Sequence, residues 1–262
     1  MLFPFAFSRG LLICGLMYIL PMKRIAFAFC ALYLVSCQQS SKTEEGTKDS
    51  TATVIDSAAI VIDTVTIGHQ LYNITAATVA EFQQLPRFTA DTSEAVNILR
   101  DSMRVRRAGD SLILMLANGR QKVMVNNNND NEEYTQYTFQ AYLPALEHWV
   151  VFNAGYEWHS YELINARNGE MTRTIGFPEL SPDKKYFICS NTDLMAAFTL
   201  NGFQLFQFTP GLNPVLLQER ELVNWGPAAI KWKDATTLVA LQHYLDEHSE
   251  EHTRYIHLTP RQ

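Results

Sequence analysis

The side chains in this sequence that could do chemistry gather in a few places. Asp246-Glu-His-Ser-Glu-Glu-His252 holds two histidines four residues apart among four acids. On a helix that spacing would put His248 and His252 on one face, as a borderline metal requires. The segment lies between two strand-like runs, so an exposed acidic hairpin loop is expected, flanked by His243 and His257, and no metal is assigned to it. Asn126-Asn-Asn-Asn-Asp-Asn-Glu-Glu133 offers oxygen donors but lacks the alternating acids and closing glutamate of a calcium loop. It is expected to be a long polar loop. Trp149, Tyr156, Trp158 and His159, with His148 and Tyr161 nearby, form an aromatic cluster that either stacks on a sugar or peptide or fills a β core. These four are the candidate ligand contacts. Asp183, Asp193 and Asp246 would serve a hydrolase if two of them met in a cleft roughly 5–9 Å apart. Cys189, in Tyr-Phe-Ile-Cys-Ser, has no activating histidine beside it and is expected to be a buried strand thiol. The chain has no Gly-x-Ser-x-Gly, no His-Glu-x-x-His and no glycine-rich phosphate loop. No catalytic residue or cofactor is therefore expected, and the protein is not expected to be an enzyme.

Composition narrows the classes further. With 262 residues, 47% apolar and 18% charged, the chain is too apolar for disorder and too mixed for a multi-span membrane protein. A net charge of −6 argues against a nucleic-acid binder, and Arg104-Val-Arg-Arg107 is a small solvated patch. Four cysteines exclude a disulfide scaffold.

The N-terminus carries the most specific signal. Lys23 and Arg24 precede an apolar run from Ile25 to Leu34, too short for a helix to span a bilayer of about 30 Å. The run ends in Leu34-Val35-Ser36-Cys37, which resembles the lipobox of bacterial lipoproteins. The resemblance implies cleavage before Cys37, with Leu34, Val35 and Ser36 recognised by the signal peptidase, and acylation of Cys37, which anchors the chain in a lipid bilayer. Several acyl chains hold firmly where one, at about 0.8 kcal/mol per buried CH2, is marginal. Residues 1–36 are thus expected to be a signal peptide. Within them Met22-Lys-Arg makes a proper n-region and Met1-Leu-Phe-Pro does not, so translation is expected to start at Met22; a transmembrane helix over residues 1–21 is the alternative. Removing residues 1–36 takes away three basic residues and no acid, leaving −9. Residues 37–52 read as a lipidated flexible tether. Gln38 is not an Asp, so the inner-membrane retention signal of enteric lipoproteins is absent, and Glu44-Glu45 resembles the export signals of Bacteroidetes surface lipoproteins. The implied location is the outer membrane, cell surface or periplasm of a Gram-negative cell.

The elements that must position any site are mostly strands. Residues 53–104 read as a lead-in: a strand near Val54–Val65 that joins a distant sheet edge or belongs to the tether, a helix from Ile74 to Pro86 capped by Thr75 or Thr78, and a helix from Ser93 to Met103 with Ala95, Val96, Leu99 and Met103 on one face. Short β runs follow through residues 105–262. Asn118-Gly119, Asn168-Gly169 and Asn201-Gly202 read as hairpin turns. The last of these would join a strand at Ala196–Leu200 to one at Phe203–Phe208, where aromatic or aliphatic residues alternate with glutamine as in a half-exposed strand. Central apolar strands near Leu114, Val151, Phe187 and Val239 are separated by 37, 36 and 52 residues, and propeller blades recur every ~40–50.

Phe177-Pro-Glu-Leu-Ser-Pro-Asp-Lys-Lys-Tyr-Phe-Ile188 resembles the blade signature of WD40-like periplasmic propellers, with Lys184 in place of the usual glycine. Gly226-Pro-Ala-Ala-Ile-Lys-Trp-Lys-Asp234 followed by Thr237-Leu-Val-Ala240 resembles the same corner. The resemblance implies a mainly β fold, propeller-like or a propeller fragment, with a short N-terminal helical segment; a β-sandwich is the alternative. It implies no activity. The expected function is a membrane-anchored envelope lipoprotein acting as a non-catalytic binding or scaffold module for a protein or glycan. The alternative is an envelope hydrolase acting on polymers or nutrients.

Overall fold

The structure is a computed structural model that describes residues 60–87 and 90–262. The leader, Leu34, Val35, Ser36 and Cys37 of the lipobox, and the tether lie outside the described residues. The fold is mainly β. Two short helices interrupt sixteen strands among the described residues, and the strands form four open antiparallel sheets. The first sheet is β3 (Val105–Ala108), β4 (Ser111–Met115) and β5 (Gln121–Val125). The second is β6 (Thr135–Leu143), β7 (His148–Gly155), β8 (His159–Asn165) and β9 (Met171–Thr174). The third is β10 (Glu179–Leu180), β11 (Tyr186–Asn191), β12 (Gly202–Gln207) and β13 (Val215–Glu221). The fourth joins β14 (Trp225–Trp232), β15 (Leu238–Leu245) and β16 (Glu251–Pro260) to β2 (Gln70–Ala76) and β1 (Val61–Ile67) from the other end of the described chain. In it Leu258 lies opposite Ile74 and Ile256 opposite Ala76, so residues 61–76 belong to the same sheet as the last strands.

Consecutive sheets pack face to face. Leu112 and Leu114 of the first meet Trp149, Val151 and Ile164 of the second. Val150 and Leu163, on the opposite face of the second, meet Phe187, Cys189 and Phe206 of the third. Ile188 and Phe203, on the far face of the third, meet Trp232, Leu238 and Ile256 of the fourth. Unbroken runs such as Trp149-Val-Val and Phe187-Ile-Cys follow from this, because a strand buried on both faces has no solvent side to mark with polar residues. Leu114, Val151, Phe187 and Val239 fall on β4, β7, β11 and β15, the second strand of each chain-ordered run.

Several expectations need correction. The first helix is α1 (Val79–Gln84); Thr78 caps it in a reciprocal box with Glu81, and residues 74–76 are strand. The second, α2 (Glu94–Arg100), buries Asn97, while Leu99 is 74% and Met103 94% exposed. Asn97 exchanges hydrogen bonds with the Asp91 backbone, so a polar side chain, not the apolar stripe, faces inward. Residues Ala196–Leu200 form no strand, and Asn201-Gly202 is no hairpin: Gly202 starts β12, where a Cβ would collide with the Arg220 carbonyl oxygen. Phe203 to Phe206 are all buried rather than half-exposed. Gln204 is accommodated there because its Oε1 accepts from Ile175 N (3.0 Å) and its Nε2 donates to Glu219 Oε2 (2.6 Å).

The Ser181-Pro182-Asp183-Lys184 corner takes its expected form. Ser181 Oγ donates to Asp183 Oδ1 (2.7 Å) and accepts from Tyr186 N (3.0 Å), while Lys184 N donates to Ser181 O (2.9 Å). Lys184 has φ 55°, a left-handed conformation that costs a side-chain-bearing residue roughly 1–2 kcal/mol. Lys184→Gly is therefore expected to raise stability by about 1 kcal/mol after the entropy of the freer unfolded chain is subtracted. A higher urea midpoint at unchanged slope is the expected reading, and an equal or lower midpoint would remove the strain argument.

Candidate functional site

A cleft of about 170 Å³ opens where the second, third and fourth sheets meet. His159 and Tyr161 on β8, the β9–β10 connection at Ile175 to Phe177, Glu179 on β10, Ser190 to Thr192 at the end of β11, and Ala228 to Ile230 on β14 line it, together with Arg87 from the segment after α1. The strands fix these positions in a fully bonded sheet framework. Inner strands β8 and β11 and edge strands β10 and β14 together bring residues of three sheets around one hollow.

The charges of the cleft are an adjacent pair. Arg87 Nε lies 3.2 Å from Glu179 Oε1, with the arginine side chain 48% exposed and the glutamate 12%. Burial pushes the Glu179 carboxyl up to about 7, against the opposing pull of Arg87 and Lys231. It is half ionised near neutrality, the range in which a carboxyl can exchange a proton with a ligand. Lys231 itself is buried and donates from Nζ to the carbonyls of Phe82 (2.8 Å) and Leu85 (2.9 Å), fastening the end of α1 to the fourth sheet. Trp232 Nε1 donates to the Glu179 carbonyl (2.9 Å), which ties β10 to β14. Thr192 Oγ1 is buried without a hydrogen-bond partner, and leaving such a group unmade typically costs about 1–3 kcal/mol.

His159 and Ile175 also line a second hollow, of about 490 Å³. Trp158, Phe198 and Leu216 form its apolar lips, with Arg173, Gln204 and Glu219 between them.

The four aromatic candidates are separated. His159 lines both hollows and Trp158 the second. Tyr156 is exposed and faces a different hollow beside Asp130 to Glu133. Trp149 is fully buried between the first and second sheets, where Nε1 donates to Asp101 Oδ2 (2.8 Å). Cys189 is buried in β11, and burial raises its thiol pKa far above the ordinary value.

The three aspartates stand on separate loops, each occupied by its own turn. Asp183 is bonded to Ser181 Oγ and Lys185 N. Asp193 accepts from the amides of Ala196, Ala197 and Thr199. Burial alone would raise its carboxyl, and the Thr199 and Ala197 bonds outweigh that and hold it low. Asp246 accepts from the His248 and Glu250 amides and sits 3.0 Å from His252 Nε2. The Glu250 amide, with His252 next, keeps it below the usual range. His248 thus lies on the β15–β16 turn and His252 at the start of β16, so the two do not share a helix face. Asp246, Glu250 and His252 bring donor atoms within 4.8 Å of one another at an exposed tip. The Asn126–Glu133 loop is held by its own side chains, with Asn126 Oδ1 accepting from Tyr137 N and Asn131 Oδ1 from Glu133 N.

Arg87, Glu179 and Thr192 were not legible as site residues. A signal was present for one: Glu179 stands between Phe177-Pro and Leu180, apolar company that foretells a buried acid. Compared with protein-family models, curated proteins and solved structures, the chain gave no match.

Proposed function

We propose that this chain is a lipid-anchored envelope protein, held by Cys37, whose propeller-like array of four sheets binds a ligand without transforming it. The observation that carries the binding reading is the cleft at the three-sheet junction, with the Arg87–Glu179 charged pair in its wall. Glu179 is the sole carboxylate among its lining residues. A two-carboxylate hydrolase would need a second acid within about 5–9 Å, and Asp183, Asp193 and Asp246 are spent on turns elsewhere. The packing of sheets in chain order, with strands from both ends of the described chain sharing the fourth, supports the propeller-like arrangement over a two-sheet sandwich. The Leu34-Val35-Ser36-Cys37 sequence supports the anchor, and the tether would leave the cleft outside the cytosol.

Two measurements test this reading. Cells fed labelled palmitate are expected to label the protein, while Cys37→Ala takes up no label and moves to the soluble fraction. Native mass spectrometry of protein purified from the envelope is expected to show a small-molecule adduct that Ala229→Phe, which fills the cleft, removes. Absence of label on Cys37 overturns the anchor; absence of any adduct on the unaltered protein overturns the ligand cleft.

A further inference from the structure

We infer that the cleft takes a ligand ending in an α-ammonium carboxylate, as a free amino acid does, with the ligand carboxylate on Arg87 and its ammonium on Glu179. This rests on the reading of the cleft as a ligand site and names the chemistry that site would accept.

The argument starts from what each charge would tolerate. Arg87 and Glu179 stand 3.2 Å apart at the wall of a hollow of about 170 Å³. A ligand carrying only a cation would meet the guanidinium of Arg87, and Lys231 lies within electrostatic reach of Glu179. A ligand carrying only an anion would be set against the Glu179 carboxylate. A ligand with both charges on adjacent atoms satisfies each wall group with its opposite, replacing one ion pair by two. Guanidinium is suited to the carboxylate, because its planar fork of donors matches the two oxygens. An ammonium has three hydrogens to donate. One of them reaches Glu179 in the cleft wall. Size fits as well: the hollow of about 170 Å³ has room for the charged end and a small side chain such as that of alanine.

A proton signature follows. Glu179 is held near 7 by burial. The cations Arg87 and Lys231 face it, His159 and Tyr161 line the same cleft, and burial raises both the Tyr161 phenol and the Cys189 thiol above their ordinary values, which keeps those two neutral. An ammonium placed on Glu179 favours the ionised carboxyl and expels its proton.

Calorimetry on the full chain in detergent, with L-alanine, N-acetyl-L-alanine, L-alanine methyl ester and D-glucose as probes, tests the inference. L-Alanine is expected to bind with a Kd of about 1 mM or tighter, to release protons at pH 7, and to lose at least tenfold in affinity when either charge is blocked. Glu179→Gln should abolish the penalty for acetylation, and Arg87→Gln the penalty for esterification. Equal binding of the ester or of glucose, heats that do not depend on the buffer, or no alanine binding at about 10 mM each overturn the inference. An adduct sensitive to Ala229→Phe that contains no α-ammonium carboxylate would overturn the inference while leaving the ligand cleft standing.

Discussion

Glu179→Gln is expected to make the protein more stable at pH 8 than the unaltered chain, and to leave the two nearly equal at pH 4.5. In the folded protein the carboxyl titrates near 7 because it is desolvated, whereas in the unfolded chain it titrates near the ordinary glutamate value of 4.5. Between those values the folded protein holds a proton that the unfolded chain has released, so stability falls as pH rises through the window. The folded state therefore has its full advantage below 4.5 and has lost it above 7. A difference of about 2.5 units corresponds to something on the order of 3 kcal/mol. Glutamine keeps the shape, cannot ionise, and removes the loss; Arg87, half exposed, gives up an ion pair worth little in water. His148 contributes with the opposite sign. It is 1% exposed, its Nδ1 donates to Leu146 O (2.7 Å), its Nε2 has no partner, and burial lowers its pKa. The folded state keeps His148 neutral where the unfolded chain would protonate it, so this residue costs stability as pH falls below 6.5. Urea titrations of both proteins across pH 4.5 to 8 isolate Glu179, because the His148 contribution cancels in the difference. Parallel curves would mean that Glu179 is solvated in the folded state.

The same residue shows what the sequence could and could not disclose. Sheets are legible where side chains repeat a local rule. Asn118-Gly119 turns where Gly119 supplies φ 78°, and the Ser181-Pro182-Asp183 corner closes with the bonds its residue types invite. One apolar run marks an inner strand of each sheet. The site is another matter, because it is made by juxtaposition. Arg87 and Glu179 are 92 positions apart, and only the packing of the third sheet on the fourth brings them together. Trp149 and Trp158 are close in sequence and chemically alike, yet one is core and the other lip. Trp149 lies on the β7 face that meets the first sheet, while Trp158 precedes β8 at the sheet's end. The α2 stripe failed for a related reason. Ala95, Val96, Leu99 and Met103 have the right periodicity, but the helix turns Asn97, bonded to the part-buried Asp91 backbone, and Ile98, packed on the Leu112 and Trp149 core, inward instead.

Asn201 carries the other large effect, and it comes from the position where the turn reading failed. Asn-Gly is a strong hairpin signal because both residues tolerate positive φ, but here the pair is used for reach and for absence of a side chain. Asn201 is buried; Nδ2 donates to the carbonyls of Leu222 (2.5 Å) and Trp225 (2.9 Å), and Oδ1 accepts from Asp193 N (3.1 Å). One amide thus joins the loop after β11, the exit of β13 and the entry of β14, which is the only chain connection between the third and fourth sheets among the described residues. Asn201→Ala leaves two carbonyls and an N–H without partners, and at about 1–3 kcal/mol for a buried orphan, partly relieved by water, the expected loss is about 2–4 kcal/mol. Asn201→Asp preserves shape but aims a carboxylate oxygen at two carbonyl oxygens. The buried charge has no cation to pair with, and the expected loss is about 3–5 kcal/mol at pH 7. That variant should recover part of its loss in acid, as the carboxyl protonates and regains one donor. The ordering Asp below Ala below Asn at pH 7, narrowing at pH 4.5, is the result expected from urea unfolding. If Asp were as stable as Asn, the amide would not be donating to Leu222 and Trp225, and the joint between the two sheets would have to be held by their shared apolar core and by bonds such as that from Trp232 Nε1 to the Glu179 carbonyl.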